Sequence, residues 1–271
     1  MSYLEELDLE GIVNPIDRKA KPEEKLRQLQ KLSKENEPIV DSFLSEVDQK
    51  YETDSKTSFK EPDKILEKAN RPSILENKPW YNIERIRDSF SFKTVLKDLD
   101  DLPRIAEDLK TAGFDLVKTD TEKVLEPGPW GWRIAAFDLR MPNGQLVEYY
   151  LPVHEMEEAK KDGNHALFEK WRNRDLTKLE KQERIEFLKD RRASHDKYDR
   201  AWQSYLDRTK QKPERIREAL EKTRQILTKE RAVRPEPAKP EQKEARLNQP
   251  SKLIEKLKRI KGKTKEDDLT R

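Results

Sequence analysis

Glu148 lies in QLVEYYL, a run whose alternation places Leu146, Glu148 and Tyr150 on one face of a strand and Val147, Tyr149 and Leu151 on the other. A single carboxylate among apolar and aromatic neighbours invites a chemical role; the plainer reading is that it faces water on an open sheet surface. A second set of residues is basic: Lys60, Lys64, Lys68 and Arg71 recur at steps that let several share one helical face. Such a face suits the oxygens of a phosphate group, with a solvated helix surface as the alternative. Arg85, Arg87 and Asp88 form a third group, at the mouth of a strand expected over about 88–96.

Several elements must position these groups. Asn143-Gly144 stands between WRIAAFDLR and QLVEYYL and predicts a β-hairpin closed by a type I′ turn, in which both central residues have positive φ. Upstream, apolar residues at three- and four-residue steps between Glu23 and Lys50 predict two amphipathic helices with a break near Glu37-Pro38. Pro62 opens a further helix to about Asn70. The segment DLDDLPRIAEDLKTAGF reads as a helix stopped at Gly113, FDLVKTD as a strand, and EMEEAKKDGNHALFEKWR as helix interrupted near Asp162-Gly163. Strand, helix, strand, hairpin and helix in that order predict an α+β fold, a mixed sheet with packed helices.

With 42% charged and 33% hydrophobic residues, the 271-residue chain does not carry one core through its whole length. Four regions are expected: a low-order arm over 1–22, a domain over 23–172, a charged helical extension over 173–231, and a Pro-rich linker with a basic tail over 232–271. The extension has sparse apolar positions and is expected to supply no core, so that a chain ending near Arg174 folds by itself. Its basic end, Lys252 to Lys265, is a candidate for contact with RNA or acidic lipid, against the alternative of a solvated tail. With 58 basic and 55 acidic residues interleaved, the whole chain has no strong polyelectrolyte field. The absence of cysteine excludes disulfides, thiolate metal sites and a cysteine nucleophile. No run is long and apolar enough for a membrane span and the N-terminus has no signal-peptide pattern, so a cytoplasmic protein is expected.

Taken in order, the pieces KEPDKILEKANR, IERIRDSFSFKTVL, GWRIAAFDLRMPNG and QLVEYYLPVHEM resemble motifs of the RelA/SpoT-type nucleotidyltransferase domain of alarmone synthetases and their toxin-like relatives, over about residues 35–172. They are similar to that family's basic helix and to its I-x-D-I-x-G-I-R-I, G-Y-R-S-I-H and V-E-I-Q-I-R-T strands. The resemblance implies transfer of pyrophosphate from ATP to a ribose 3′-hydroxyl, of a guanine nucleotide such as GDP or GTP or of a tRNA end, with Mg²⁺ as cofactor.

It also implies roles. Asp88 would hold Mg²⁺, and Glu148 would act as general base or share the metal. Lys60, Lys68, Arg71, Arg85 and Arg87 would meet the triphosphate; Trp132, in place of the family's tyrosine, would stack on the acceptor base; Arg133 and His165 complete the nucleotide-binding set. The chain departs from the pattern at Pro152-Val153, where the family has Arg-Thr, at Ile134-Ala135-Ala136, where it has Ser-Ile-His, and at Asp63, where it has serine. The family's hydrolase pattern is absent upstream, and alarmone degradation is not expected. The alternative to an active enzyme is a catalytically degenerate fold that binds a protein or RNA partner.

Overall fold

Five six-residue segments pair into one mixed sheet in the computed structural model, which describes residues 12–228. Residues 1–11 of the expected arm, and the linker with the basic segment Lys252 to Lys265, lie outside the described residues. The strands are β1 (Asp54–Phe59), β2 (Phe90–Val95), β3 (Asp115–Asp120), β4 (Ala135–Arg140) and β5 (Leu146–Leu151). Their order is β1-β2-β5-β4-β3; β2 and β5 run parallel and the other neighbours antiparallel. Helices pack on the sheet, so the fold is α+β, as the element order predicts.

The β4–β5 hairpin forms, but with a different turn. Gly144 N donates to Met141 O at 2.8 Å and Met141 N to Gln145 O at 2.9 Å, and of the two turn residues Gly144 alone has positive φ, at 86°. Pro142 is the reason: its ring holds φ negative at the first corner, which excludes type I′. Asn143 is used through its side chain, whose Oδ1 accepts from Asn36 Nδ2 at 2.8 Å and whose Nδ2 donates to Leu32 O at 3.1 Å.

Those bonds reach α1 (Pro22–Tyr51), a single helix of 30 residues with Pro38 inside it, where the sequence predicts two. Pro38 removes one helical hydrogen bond and costs about 3 kcal/mol. Val40, Phe43, Leu44 and Val47, all buried downstream of it, are worth about 1.5–3 kcal/mol each. Packing wins, and the helix continues.

α1 covers one sheet face. Phe43 meets Phe92 and Tyr149 edge-on with centroids 6.5 and 6.0 Å away, Phe92 stacks on Tyr149 at 4.5 Å, and the Tyr149 hydroxyl pairs with Thr94 Oγ1 at 2.7 Å. α4 (Leu102–Ala112) adds Ile105 and Leu109 to the same core and stops at Gly113, φ 81°. Strand β1 was not foreseen: DSKTSF is a polar edge strand, tied down by Ser55 Oγ donating to Asp48 at 2.6 Å.

Two short helices follow β1, α2 (Pro62–Ala69) and α3 (Pro72–Leu75). After β5 come α5 (His154–Ala159) and α6 (His165–Trp171), separated by non-helical Asp162 and Gly163 at the expected interruption. The charged extension does not stay outside the core. α7 (Lys181–Thr209) contributes Tyr198 and Tyr205, and α8 (Pro213–Thr228) contributes Ile216, Leu220 and Leu227, to the cluster that contains Phe92. Few apolar positions suffice because two are tyrosines: Tyr205 is fully buried, with its hydroxyl accepting from Leu99 N at 3.1 Å and donating to Gln211 at 2.9 Å. A chain ending near Arg174 would lack these side chains, so the expectation that the extension supplies no core is corrected. Among the described residues no helix is long and apolar enough to cross a membrane.

Candidate active site

Register decides which polar residues meet. Ser58, Ser91, Glu148, Asp138 and Lys118 are successive cross-strand neighbours from β1 to β3, so they form one row on the face opposite α1. The next row on that face runs through Lys93, Tyr150, Ala136 and Asp120. Both rows floor a cleft of about 880 Å³. Glu148 therefore does not face open water: it sits at the bottom of a walled cleft.

Burial pushes the Glu148 carboxyl up to about 7; Lys68 opposes the shift, and the carboxylates of Asp88 and Asp138 add to it. The Tyr150 hydroxyl donates to Glu148 Oε2. Asp88 differs. Burial alone would raise it, but Lys60 and Lys68 stand 2.9 and 2.8 Å from its two oxygens and hold it below the usual carboxylate range. Asp138 is raised by burial despite its ion pair with Arg87. Two adjacent carboxylates with opposite shifts are the arrangement in which one stays ionised while the other exchanges a proton near neutral pH.

The cationic wall comes from α2 and its flanks. Pro62 at the helix start leaves Lys60 just outside, bonded through its backbone N–H to Ser89 O at 3.0 Å. Lys60, Lys68, Arg71 and Arg87 line the cleft as expected. Lys64 does not share their face; it pairs with Glu67 at 2.8 Å in solvent. Asp63 is exposed and away from the cleft lining. Glu67, drawn down to about 2 chiefly by Lys64, also holds Arg71 at 3.3 Å and Arg172 at 2.8 Å.

Trp132 and His165 line the far end of the cleft with Trp130 and Phe168. Trp132 packs edge-on against Tyr198 of α7, and Lys160 lies 5.4 Å over its ring. Burial, with Lys160 and Arg172 nearby, lowers His165 against the opposing pull of Glu169, which favours the neutral imidazole. Gly131 permits a close approach: its φ is 84°, and a Cβ there would meet His195 Cα at 2.8 Å. Two expected residues are placed elsewhere. Arg133 is turned out of the cleft, donating to Val124 O and Leu125 O at 3.1 and 2.8 Å, pairing with Asp199 at 3.2 Å and stacking on Trp202; its role is to brace the loop on α7. Arg85 lines a smaller neighbouring cavity, 4.5 Å over the Trp80 ring.

Sequence reading missed Asp138, Lys93, Lys118, Arg172, Ser194 and Tyr198, all in the cleft lining. Asp138 and Lys93 had a signal, being polar residues at the alternation of their strands. Ser194 and Tyr198 had none, because only packing brings α7 over the cleft.

Among the described residues no group of three or more histidine, aspartate or glutamate side chains is arranged to hold a metal by itself. Two carboxylates beside a cationic wall do suit a hard divalent cation whose remaining ligands are phosphate oxygens. No family model matches the chain, and no curated protein matches it. Solved structures do. The small alarmone synthetase 2 from Bacillus subtilis is 18% identical over 64% of this chain and 94% of its own, with a TM-score of 0.44. A GTP pyrophosphokinase family protein from Streptococcus pneumoniae is 12% identical over 70% and 96%, with a TM-score of 0.42. The Type VI effector Tas1, in complex with its immunity protein, is 15% identical over 67% and 96%, with a TM-score of 0.44. What this chain has in common with them is a likeness of fold to small alarmone synthetases, GTP pyrophosphokinase family proteins and a toxin effector.

Proposed function

We propose that the cleft transfers the pyrophosphoryl group of ATP to a ribose 3′-hydroxyl, belonging to a guanine nucleotide or to a tRNA end. The observation that carries this reading is the pair on the cleft floor: Glu148, raised to about 7, beside Asp88, kept ionised by Lys60 and Lys68. Glu148 accepts the proton as the 3′-oxygen bonds to the β-phosphorus; the bond from that phosphorus to the oxygen bridging the α-phosphorus breaks, and AMP leaves. Lys60, Lys68, Arg71 and Arg87, with Arg172 beside them, neutralise the triphosphate. Asp88 and Glu148 would hold Mg²⁺, which would supply further neutralisation of phosphate charge when bound. Trp132 offers an indole face to the acceptor base, and neutral His165 offers a hydrogen bond.

Incubation of the purified protein with labelled ATP, Mg²⁺ and either GDP or GTP or tRNA tests the proposal. Label appearing on one acceptor, with AMP released in equal amount, supports it. A folded protein that labels none of them overturns it and favours a binding module on the same fold. The proposed setting is the cytoplasm.

A further inference from the structure

The amino-terminal half of α7 carries an apolar patch that the fold leaves uncovered. Its Phe187 is buried, edge-on to Trp130 and Trp171 with centroids 5.9 and 5.5 Å away, but Ile185 and Leu188 are 51% and 47% exposed, and Leu176, just before the helix, is 42% exposed. Lys181 and Lys189 stand four residues either side of Ile185, and Arg184 four before Leu188, so three cations frame the apolar pair. None of the three has a carboxylate within salt-bridge reach among the described residues, and acids of the same turns are engaged elsewhere: Glu183 pairs with Arg174 at 2.7 Å and Glu186 with Lys170 at 2.6 Å. An apolar pair framed by unpaired cations suits an acidic segment with apolar residues at matching spacing.

We propose that residues 1–11 of this chain dock on that face. The segment MSYLEELDLEG carries Glu5, Glu6, Asp8 and Glu10 and no lysine or arginine, and its Leu4 and Leu7 stand three apart, as Ile185 and Leu188 do. Position allows the contact. Ile12, where the described chain begins, lines the smaller cavity with Lys78 and Trp80. Lys78 N donates to Ile74 O at 2.8 Å, which sets it directly after α3, and Glu76 of the same turn lies near Lys178, just before α7: Lys178 is raised chiefly by Asp175 and also by Glu76. Ile185 is one turn into α7, about 6 Å from its start. The eight residues from Leu4 to Ile12 reach about 26–29 Å when extended, which spans the step past Glu76 and Lys178 onto that turn. Other occupants fit less well. The basic segment Lys252 to Lys265 would meet cations of its own sign, and a second copy packed face to face across a two-fold axis would set the same three cations against themselves. Docking does not depend on the chemistry of the cleft, but it bears on its wall: the buried side of the same helical turns holds Trp130, and Ser194 and Tyr198 further along α7 line the cleft.

The chain has no cysteine, so an introduced pair reports the contact directly. In the full-length Leu4→Cys and Leu188→Cys double variant under a mild thiol oxidant, a disulfide within single chains is expected, read by non-reducing electrophoresis and peptide mapping. Adding Ile185→Ser, or replacing Glu5, Glu6, Asp8 and Glu10 together by Gln, is expected to slow its formation by about tenfold or more, because the segment is then held near α7 by its tether alone. The melting temperature of each variant checks that it is folded, and the two routes remove the apolar and the charged match separately. No disulfide within single chains, or one that forms equally fast in both added variants, overturns the docking. Disulfide-linked dimers in its place assign the face to a second copy, and faster cross-linking by Leu253→Cys than by Leu4→Cys to the same Leu188→Cys assigns it to the basic tail; either result overturns the assignment to residues 1–11.

Discussion

The two faces of the sheet are built from the same strands, and they use burial for opposite ends. On the face toward α1, Phe92, Phe137 and Tyr149 lose contact with water and gain aromatic packing, which stabilises the fold. One residue along on β5, Glu148 is also withdrawn from water, but for a carboxylate that is a cost, visible as a carboxyl raised to about 7. The pairs Lys60–Asp88, Lys68–Asp88 and Arg87–Asp138 offset part of that cost without adding much stability. A face that holds charges ready for a ligand is therefore expected to be separable from the face that holds the protein together.

Substitution on the cleft face gives the sharpest test of that separation. Glu148→Gln and Asp88→Asn should each lower the rate of pyrophosphoryl transfer by about 10²–10⁴-fold, measured with labelled ATP; Glu148→Gln should leave the melting temperature unchanged or higher, whereas Asp88→Asn should lower it, because Lys60 and Lys68 lose their shared acid. Near-normal turnover in both would move the site elsewhere. On the opposite face, Phe92→Ala should destabilise by about 3–5 kcal/mol in denaturant titration, because it opens a cavity against Phe43 and Tyr149. If Phe92→Ala were as stable as the wild-type protein, the division between the faces would fail.

Smaller effects refine the comparison. Trp132→Ala should weaken acceptor binding by about 1–3 kcal/mol if the indole stacks on a base, whereas a purely structural Trp132 would register in the melting temperature and leave binding alone. The pH dependence follows from Glu148. Between its ordinary value of 4.5 and about 7 the folded protein keeps a proton that the unfolded chain has released, so this group's contribution to stability falls as pH rises through that window. The slope is at most about 1.4 kcal/mol per pH unit and should vanish in Glu148→Gln, with unfolding followed without divalent metal. Activity should run the other way, rising with pH as the base loses its proton, over a range that Mg²⁺ beside Glu148 would place lower than in the metal-free protein. Removal of residues 232–271 should leave both faces, and the melting temperature, as they are. If Lys252 to Lys265 binds an acidic partner such as tRNA, the shortened chain should bind it more weakly and with a shallower dependence on salt.

The local elements that carry the site were legible because each has its own signature. Alternation in QLVEYYL placed Glu148 apart from Tyr149, Pro62 and Gly113 marked a helix start and a helix end, and Asn143-Gly144 marked the hairpin. Where reading failed, packing or an immediate neighbour had outweighed the local signal. Pro38 did not break α1 because the packing of Val40 to Val47 outweighs one missing hydrogen bond. Pro142, directly before Asn143, overrode the Asn-Gly preference in the turn. Polar β1 forms because β2 offers it an edge, and Arg133 is turned out of the cleft because Asp199 and Trp202 of α7 hold its guanidinium.

The sequence by itself determined which residues are acids, bases and cations, which face of β5 Glu148 occupies, and the helix start at Pro62 and stop at Gly113, since these follow from backbone chemistry and period. Tertiary structure alone decided that Glu148 has Asp138 and Ser91 as neighbours, that Lys60 and Lys68 converge on one aspartate, and that α7 closes the cleft with Tyr198. Those are meetings between residues tens of positions apart. Strand register and helix packing select them, through the total burial of the whole chain and not through any local preference.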